Sequence, residues 1–164
     1  MGFVYPFQKM EIIGHVEREV FMNSDDREIL KAVQKNADMA IKAIGVVSEK
    51  THSREFSREL AKDKLMYSVI QNKATDMLNN EQADSYHPSA AADMLLTGGI
   101  HMSTIADCST GKLAELMIQN SSRGLTGMWK SINHHQNYCN TSMEIAKEFM
   151  TFEEKTIARL KKFL

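Results

Sequence analysis

Apolar residues recur along this chain at steps of three and four, and proline, the strongest interruption of such a pattern, occurs only at Pro6 and Pro88. Helix is therefore the expected state of almost every segment. A first long stripe runs through Ile29, Val33, Ala37, Ile41 and Ile44 and fades near Lys50. It opens at Asp25 and Glu28, whose spacing matches a capping box. After a break at Thr51 to Ser53 a second stripe carries Phe56, Leu60, Tyr67, Ile70, Ala74 and Met77. So short a link makes the two helices antiparallel neighbours.

The polar stretch from Asn79 to Tyr86 leads to Pro88, which suits the first turn of a new helix through Met94, Leu95, Met102 and Ile105. Gly98 and Gly99 weaken that helix. A third long helix is predicted from about Thr110 to Gln136, with Leu113, Leu116, Met117, Leu125, Met128 and Ile132 on its apolar side. Asn137 to Asn140 close it as a turn. The last helix has a capping box of its own in Thr141 and Glu144, then Ile145, Phe149, Phe152, Leu160 and Phe163. Lys155, Arg159, Lys161 and Lys162 gather near its end, where cations suit the helix dipole and water.

Two helical hairpins joined in this way predict an all-α fold, a four-helix bundle with residues 83–108 as a crossover bearing a short helix. The connection must run the length of the bundle. A 27-residue helix is roughly 40 Å long, and about 18 helical plus 8 extended residues reach on the order of 50 Å. Residues 1–22 form an N-terminal extension with an amphipathic pattern at Met10, Ile13, Val16 and Val20. At 164 residues the chain suits a single domain (1–164), which buries roughly 70% of the surface of its unfolded chain without a staple.

Charge removes several partners from the picture. Lys and Arg number 20 against 21 Asp and Glu, and a net charge of -1 gathers neither nucleic acid nor an anionic membrane. No run approaches the ~20 apolar residues of a membrane helix. Two cysteines, Cys108 and Cys139, without a CxxC pair, and a start with no apolar leader, point to a reduced cytoplasmic protein.

The string Asp107 to Gly124 (DCSTGKLAELMIQNSSRG) and the string Phe152 to Lys161 (FEEKTIARLK) resemble small uncharacterised bacterial proteins of the ferritin-like superfamily. The resemblance covers the second hairpin and implies a ferritin-like four-helix bundle that self-associates. It assigns no reaction. A ferritin-like di-iron site takes one Glu from each of two helices and Glu-x-x-His from each of the other two. Here the pattern fails, because the one Glu-x-x-His, Glu49 to His52, falls at a helix end and the second and fourth long helices carry no histidine. Glu115, Glu153 and Glu154 lie in the matching strings, and on polar helix faces carboxylates are solvated far more often than ligating.

Other chemistry is sparse. His134, His135 and Cys139 cluster at the second hairpin's turn and are the candidate metal ligands, by virtue of imidazole and thiolate donors. Adjacent helical histidines point about 100° apart, so a polar helix end is the favoured reading. Glu11, His15 and Glu19 share a helical face, where i, i+4 pairs again explain the spacing. Tyr67 and Gln71, one turn apart, suggest a buried hydrogen-bonded pair or a small polar ligand site. The 12 methionines are expected in the core. No nucleophile elbow or phosphate loop occurs, and no cofactor is implied.

The expected function is that of a non-catalytic bundle working through self-association or binding of a partner or small ligand. The alternative is a metal-binding protein or metal-dependent oxidoreductase with a non-standard ferritin-like site. Homo-oligomerisation is expected because Val46, Val69 and Trp129 fall off the stripes. Gly124 and Gly127 lie inside a helix and predict a packing seam, Gly127 level with Phe149 and Gly124 with Phe152, with Glu115 near Lys161.

Overall fold

The computed structural model describes residues 22–104 and 107–164, so the stripe through Met10 and Val20, the Glu11, His15 and Glu19 face and Ile105 lie outside the described residues. Among those described, every regular element is helical: α1 (Ser24–Ser48), α2 (Arg54–Asn80), α3 (Ala90–Ser103), α4 (Thr110–His134) and α5 (Asn140–Leu160), with a 3-10 turn at Lys161–Phe163.

Each long helix buries the stripe its spacing sets out. In α1 this is Ile29, Val33, Ala37, Ala40, Ile44 and Val47, and in α2 it is Phe56, Leu60, Asp63, Tyr67, Ile70 and Ala74. In α4 the buried row is Leu113, Met117, Ser121, Gly124 and Met128, and in α5 it includes Phe149, Glu153, Thr156 and Leu160. α1 packs on α2, α4 and α5, and α5 packs on α2 and α4. Polar contacts fix the directions. Asn23, at the start of α1, reaches the α4–α5 turn through Asn137. Lys73 late in α2 meets Glu148 early in α5, and Glu55 early in α2 meets Lys162 beyond α5. The course is therefore up, down, down, up. Residues 81–104 run back along the bundle, with α3 lying against α1.

Several helix ends differ from the sequence reading. The α1 capping box is Asn23 with Asp26, not Asp25 with Glu28: the Asn23 side chain accepts from the Asp25 and Asp26 amides, and Asp26 accepts from the Asn23 amide at 3.1 Å. Pro88 stands before α3, whose N-cap is Ser89. At α5 the predicted Thr141–Glu144 box is absent, and Cys139 is the N-cap without a side-chain cap bond. The reason is tertiary. Asp26 of α1 accepts from the Cys139 amide at 2.6 Å and from the Ser142 hydroxyl at 2.5 Å, so it serves two helix starts at once. Burial raises the Asp26 carboxyl, and hydrogen bonds from Ser142 and the Cys139 and Asn23 amides outweigh it, leaving the group below the ordinary range.

Candidate functional site

Three helices each place a polar residue at a position where their stripe calls for an apolar one. These are Asp63 and Tyr67 on α2, Ser121 on α4, and Glu153 and Thr156 on α5, all buried. They meet in the interior. Tyr67 donates its hydroxyl to Glu153 Oε2 at 2.7 Å, and Ser121 Oγ lies 3.5 Å from the Tyr67 oxygen. Phe152 meets the Tyr67 ring edge-on at 4.8 Å between centroids, and Phe149 lies tilted at 6.2 Å. Glu153 is 1% exposed, with no cation among its hydrogen-bond partners. Burial pushes its carboxyl up to about 7, against the smaller downward pull of Ser121 and Tyr67. Burial and the nearby Glu153 charge hold the Tyr67 hydroxyl well above its ordinary range.

The backbone of α4 makes room for this carboxylate. A methyl group on Gly124 would stand 2.8 Å from Glu153 Oε1 and 3.5 Å from Phe149 Cζ. One turn from Tyr67, Asp63 is 2% exposed and receives the guanidinium of Arg159, which also donates to Thr156 Oγ1 at 3.0 Å. Burial raises the Asp63 carboxyl despite the Arg159 charge, and Asp63 Oδ2 has no hydrogen-bond partner among the described residues. Arg159 also lies 5.5 Å over the Phe152 ring. The interior thus carries two adjacent polar groupings, Tyr67 with Glu153 and Ser121, and Asp63 with Arg159 and Thr156.

This site corrects four readings of the sequence. Glu153 is not solvated, although Glu154 is exposed and Glu115 half-buried. Tyr67 pairs with Glu153, and the Gln71 carbonyl instead accepts from Thr75. Gly124 is level with Phe149 and Glu153 rather than Phe152, whereas Gly127 faces Asn36 of α1, whose Oδ1 a Cβ would approach to 3.2 Å. Glu115 pairs with Lys112 at 2.9 Å and accepts from Gln119, not from Lys161. The signal for Glu153 was present: residues 149, 153, 156 and 160 follow steps of four, three and four.

The candidate metal ligands separate. His134 is exposed, His135 Nδ1 lies 3.3 Å from Asp25 Oδ1, and Cys139 Sγ approaches the Ser142 hydroxyl at 3.5 Å. No group of three or more His, Cys, Asp or Glu side chains converges on a common point among the described residues. α3 also departs from expectation. Ile100 turns inward with Leu96 half-buried, while Met94, Leu95 and Met102 are 76%, 78% and 77% exposed. Trp129 and Val69 are exposed as well, but Val46 packs against the core.

The described chain is thus an all-helical protein with a polar centre, and no helix in it is long and apolar enough to cross a membrane. The fold is similar to the crystal structure of a DUF305 fragment from Deinococcus radiodurans, with a TM-score of 0.67 over 86% of this chain and 95% of that one. Identity is 10%, so the likeness concerns the fold alone. No family model and no curated protein sequence matches the chain.

Proposed function

We propose that this chain is a ferritin-like four-helix bundle whose centre is closed by a carboxyl–phenol network and which works by self-association through the outer face of α3. The up-down-down-up course and the long return connection support the ferritin-like reading. The observation that carries the association is the exposure of Met94, Leu95 and Met102 together on one short helix. Met94 and Met102 stand four residues to either side of Gly98. A second copy set antiparallel across a two-fold at Gly98 pairs each Met94 with the other copy's Met102, the self-complementarity a symmetric dimer requires. The face holds no free Asp, Glu, Lys or Arg, because Asp93 is bound by Lys42 at 2.7 Å. Like charges therefore do not oppose the pairing. Sedimentation velocity of the full chain is expected to give a dimer or larger species, and Leu95→Lys a monomer of unchanged helicity. A monomeric parent chain at every workable concentration overturns the proposal.

A metal-binding reading has one observation in its favour, the unpartnered Asp63 Oδ2. The Arg159 guanidinium on the same carboxylate opposes a cation there, and no histidine lies on α2 or α5 to complete a ligand set. Metal analysis of protein purified without added metal decides between the readings, since one or two iron, manganese or zinc ions per chain would favour the second.

A further inference from the structure

Beneath α3, on the side away from its exposed methionines, a cleft of about 140 Å³ opens between α1, α3 and α4. Although Ser103 and Gln119 add polar atoms, its walls are largely apolar, with Ala43 and Val47 from α1, Leu95, Leu96 and Ile100 from α3, and Leu116 from α4. Its mouth is not. There α4 presents Asn120 and Arg123 one turn apart, as i and i+3 on a single face. Arg123 joins none of the ion pairs among the described residues, in contrast to Arg159. Asn120 is half-buried and its amide has no side-chain hydrogen bond within the described chain. The nearest acid on the same helix, Glu115, is already neutralised by Lys112.

We propose that this cleft binds a small monocarboxylate with an apolar body of about six carbons, its tail between α1 and α3 and its carboxylate on Arg123 and Asn120. The size follows from the volume, since an apolar protein cavity of about 150 Å³ is known to accept benzene. The head group follows from charge. A guanidinium with no ion-pair partner among the described residues, beside an amide N–H₂, forms charge-assisted bonds with a carboxylate that an alcohol of equal length cannot match. Gly99 keeps the α3 wall thin: a Cβ there would meet nothing within 4 Å. The Lys42–Asp93 pair holds α3 in place over the tail. This site is separate from the carboxyl network in the bundle centre and shares Leu95 with the outer α3 face, so the Arg123→Gln variant, which leaves Leu95 in place, tests it apart from self-association.

The test uses the full chain and three probes: sodium hexanoate, hexan-1-ol and sodium acetate, titrated by calorimetry and by amide shifts of Leu96, Gly99 and Ile100. Hexanoate is expected to move these amides saturably, with hexanol and acetate each at least about tenfold weaker. Arg123→Gln, at an exposed position, is expected to weaken hexanoate to the level of hexanol and leave hexanol itself unchanged. Ala43→Leu fills the cleft and is expected to abolish both. Should that variant fold poorly, Arg123→Gln decides alone. Equal affinity for hexanoate and hexanol, unmoved amides in α3, or hexanoate binding unaffected by Arg123→Gln each overturn the proposal.

Discussion

Gly124 in α4 and Gly98 in α3 are both helical glycines, and each forgoes roughly 1 kcal/mol of helix propensity relative to alanine. The two regions repay that loss in different ways. At Gly124 the missing methyl lets the Glu153 carboxylate rest against the bare α4 backbone, at a distance no Cβ contact tolerates. At Gly98 no neighbour among the described residues lies within 4 Å of the absent Cβ, and the flanking methionines face outward. One glycine is accounted for by a contact within its own chain; the other has open space beside it, as Gly45 and Gly99 do. The comparison shows how a buried polar group and an exposed apolar face can each leave the same mark in a helical sequence.

The largest expected effect comes from Glu153 itself. Its folded carboxyl titrates near 7, above the ordinary 4.5, so its contribution is complete below about pH 4.5 and is lost as pH rises through 7. That shift corresponds to about 3 kcal/mol. Urea unfolding should therefore give a higher midpoint at pH 5 than at pH 8, and Glu153→Gln should flatten the difference. Equal midpoints at both pH values in the parent chain would show that the carboxyl is not held as the geometry implies. Asp63, also raised by burial, acts in the same direction, whereas Asp26 is lowered and withdraws its stabilisation only as pH falls below the ordinary carboxylate range.

Next in size is Gly124→Ala, whose methyl must displace a carboxylate that Tyr67 already holds. Net of propensity, a loss of about 1 to 2 kcal/mol is expected, read as a lower thermal midpoint at pH 5. A variant that melts at or above the parent temperature would remove the close approach. Smallest is Gly98→Ala, which gains about 0.5 to 1 kcal/mol in the isolated chain because its methyl meets only open space. The same methyl should weaken self-association, so chemical denaturation at low concentration and sedimentation at high concentration should move in opposite directions.

Helix positions were legible in the sequence because they rest on periodicity, and burial of one face enforces the period wherever it runs unbroken. The four long stripes and the Ser53 start of α2 follow directly. Caps were less legible. Asn23 and Asp26 form a local capping box that the sequence reading passed over for Asp25 and Glu28, and the second role of Asp26 depends on an α4–α5 turn more than a hundred positions away. The central site was half-visible: Asp63 and Glu153 fall on apolar stripes, yet composition argues that a glutamate faces water. The Ser121 and Tyr67 hydroxyls and the bare backbone at Gly124, brought together from other helices, accommodate its burial. The outward turn of Met94, Leu95 and Met102 had no signal at all, since a short apolar helix has no polar face to orient it.

The double use of Asp26 has a consequence for the chain as it is made. Its partner Ser142 lies 116 residues further on, so although Asn23 and Asp26 cap α1 locally, Asp26 cannot serve the start of α5 until that helix has been made. At synthesis rates of about 5 to 20 residues per second, the stretch from the end of α2 at Asn80 to Ser142 keeps the α1–α2 hairpin waiting roughly 3 to 12 s with the side destined for α4 and α5 uncovered. During that interval the apolar stripes of α1 and α2 stay open to water, and the Asp26 carboxyl, buried in the finished fold, is solvated until the Cys139 amide and Ser142 hydroxyl reach it.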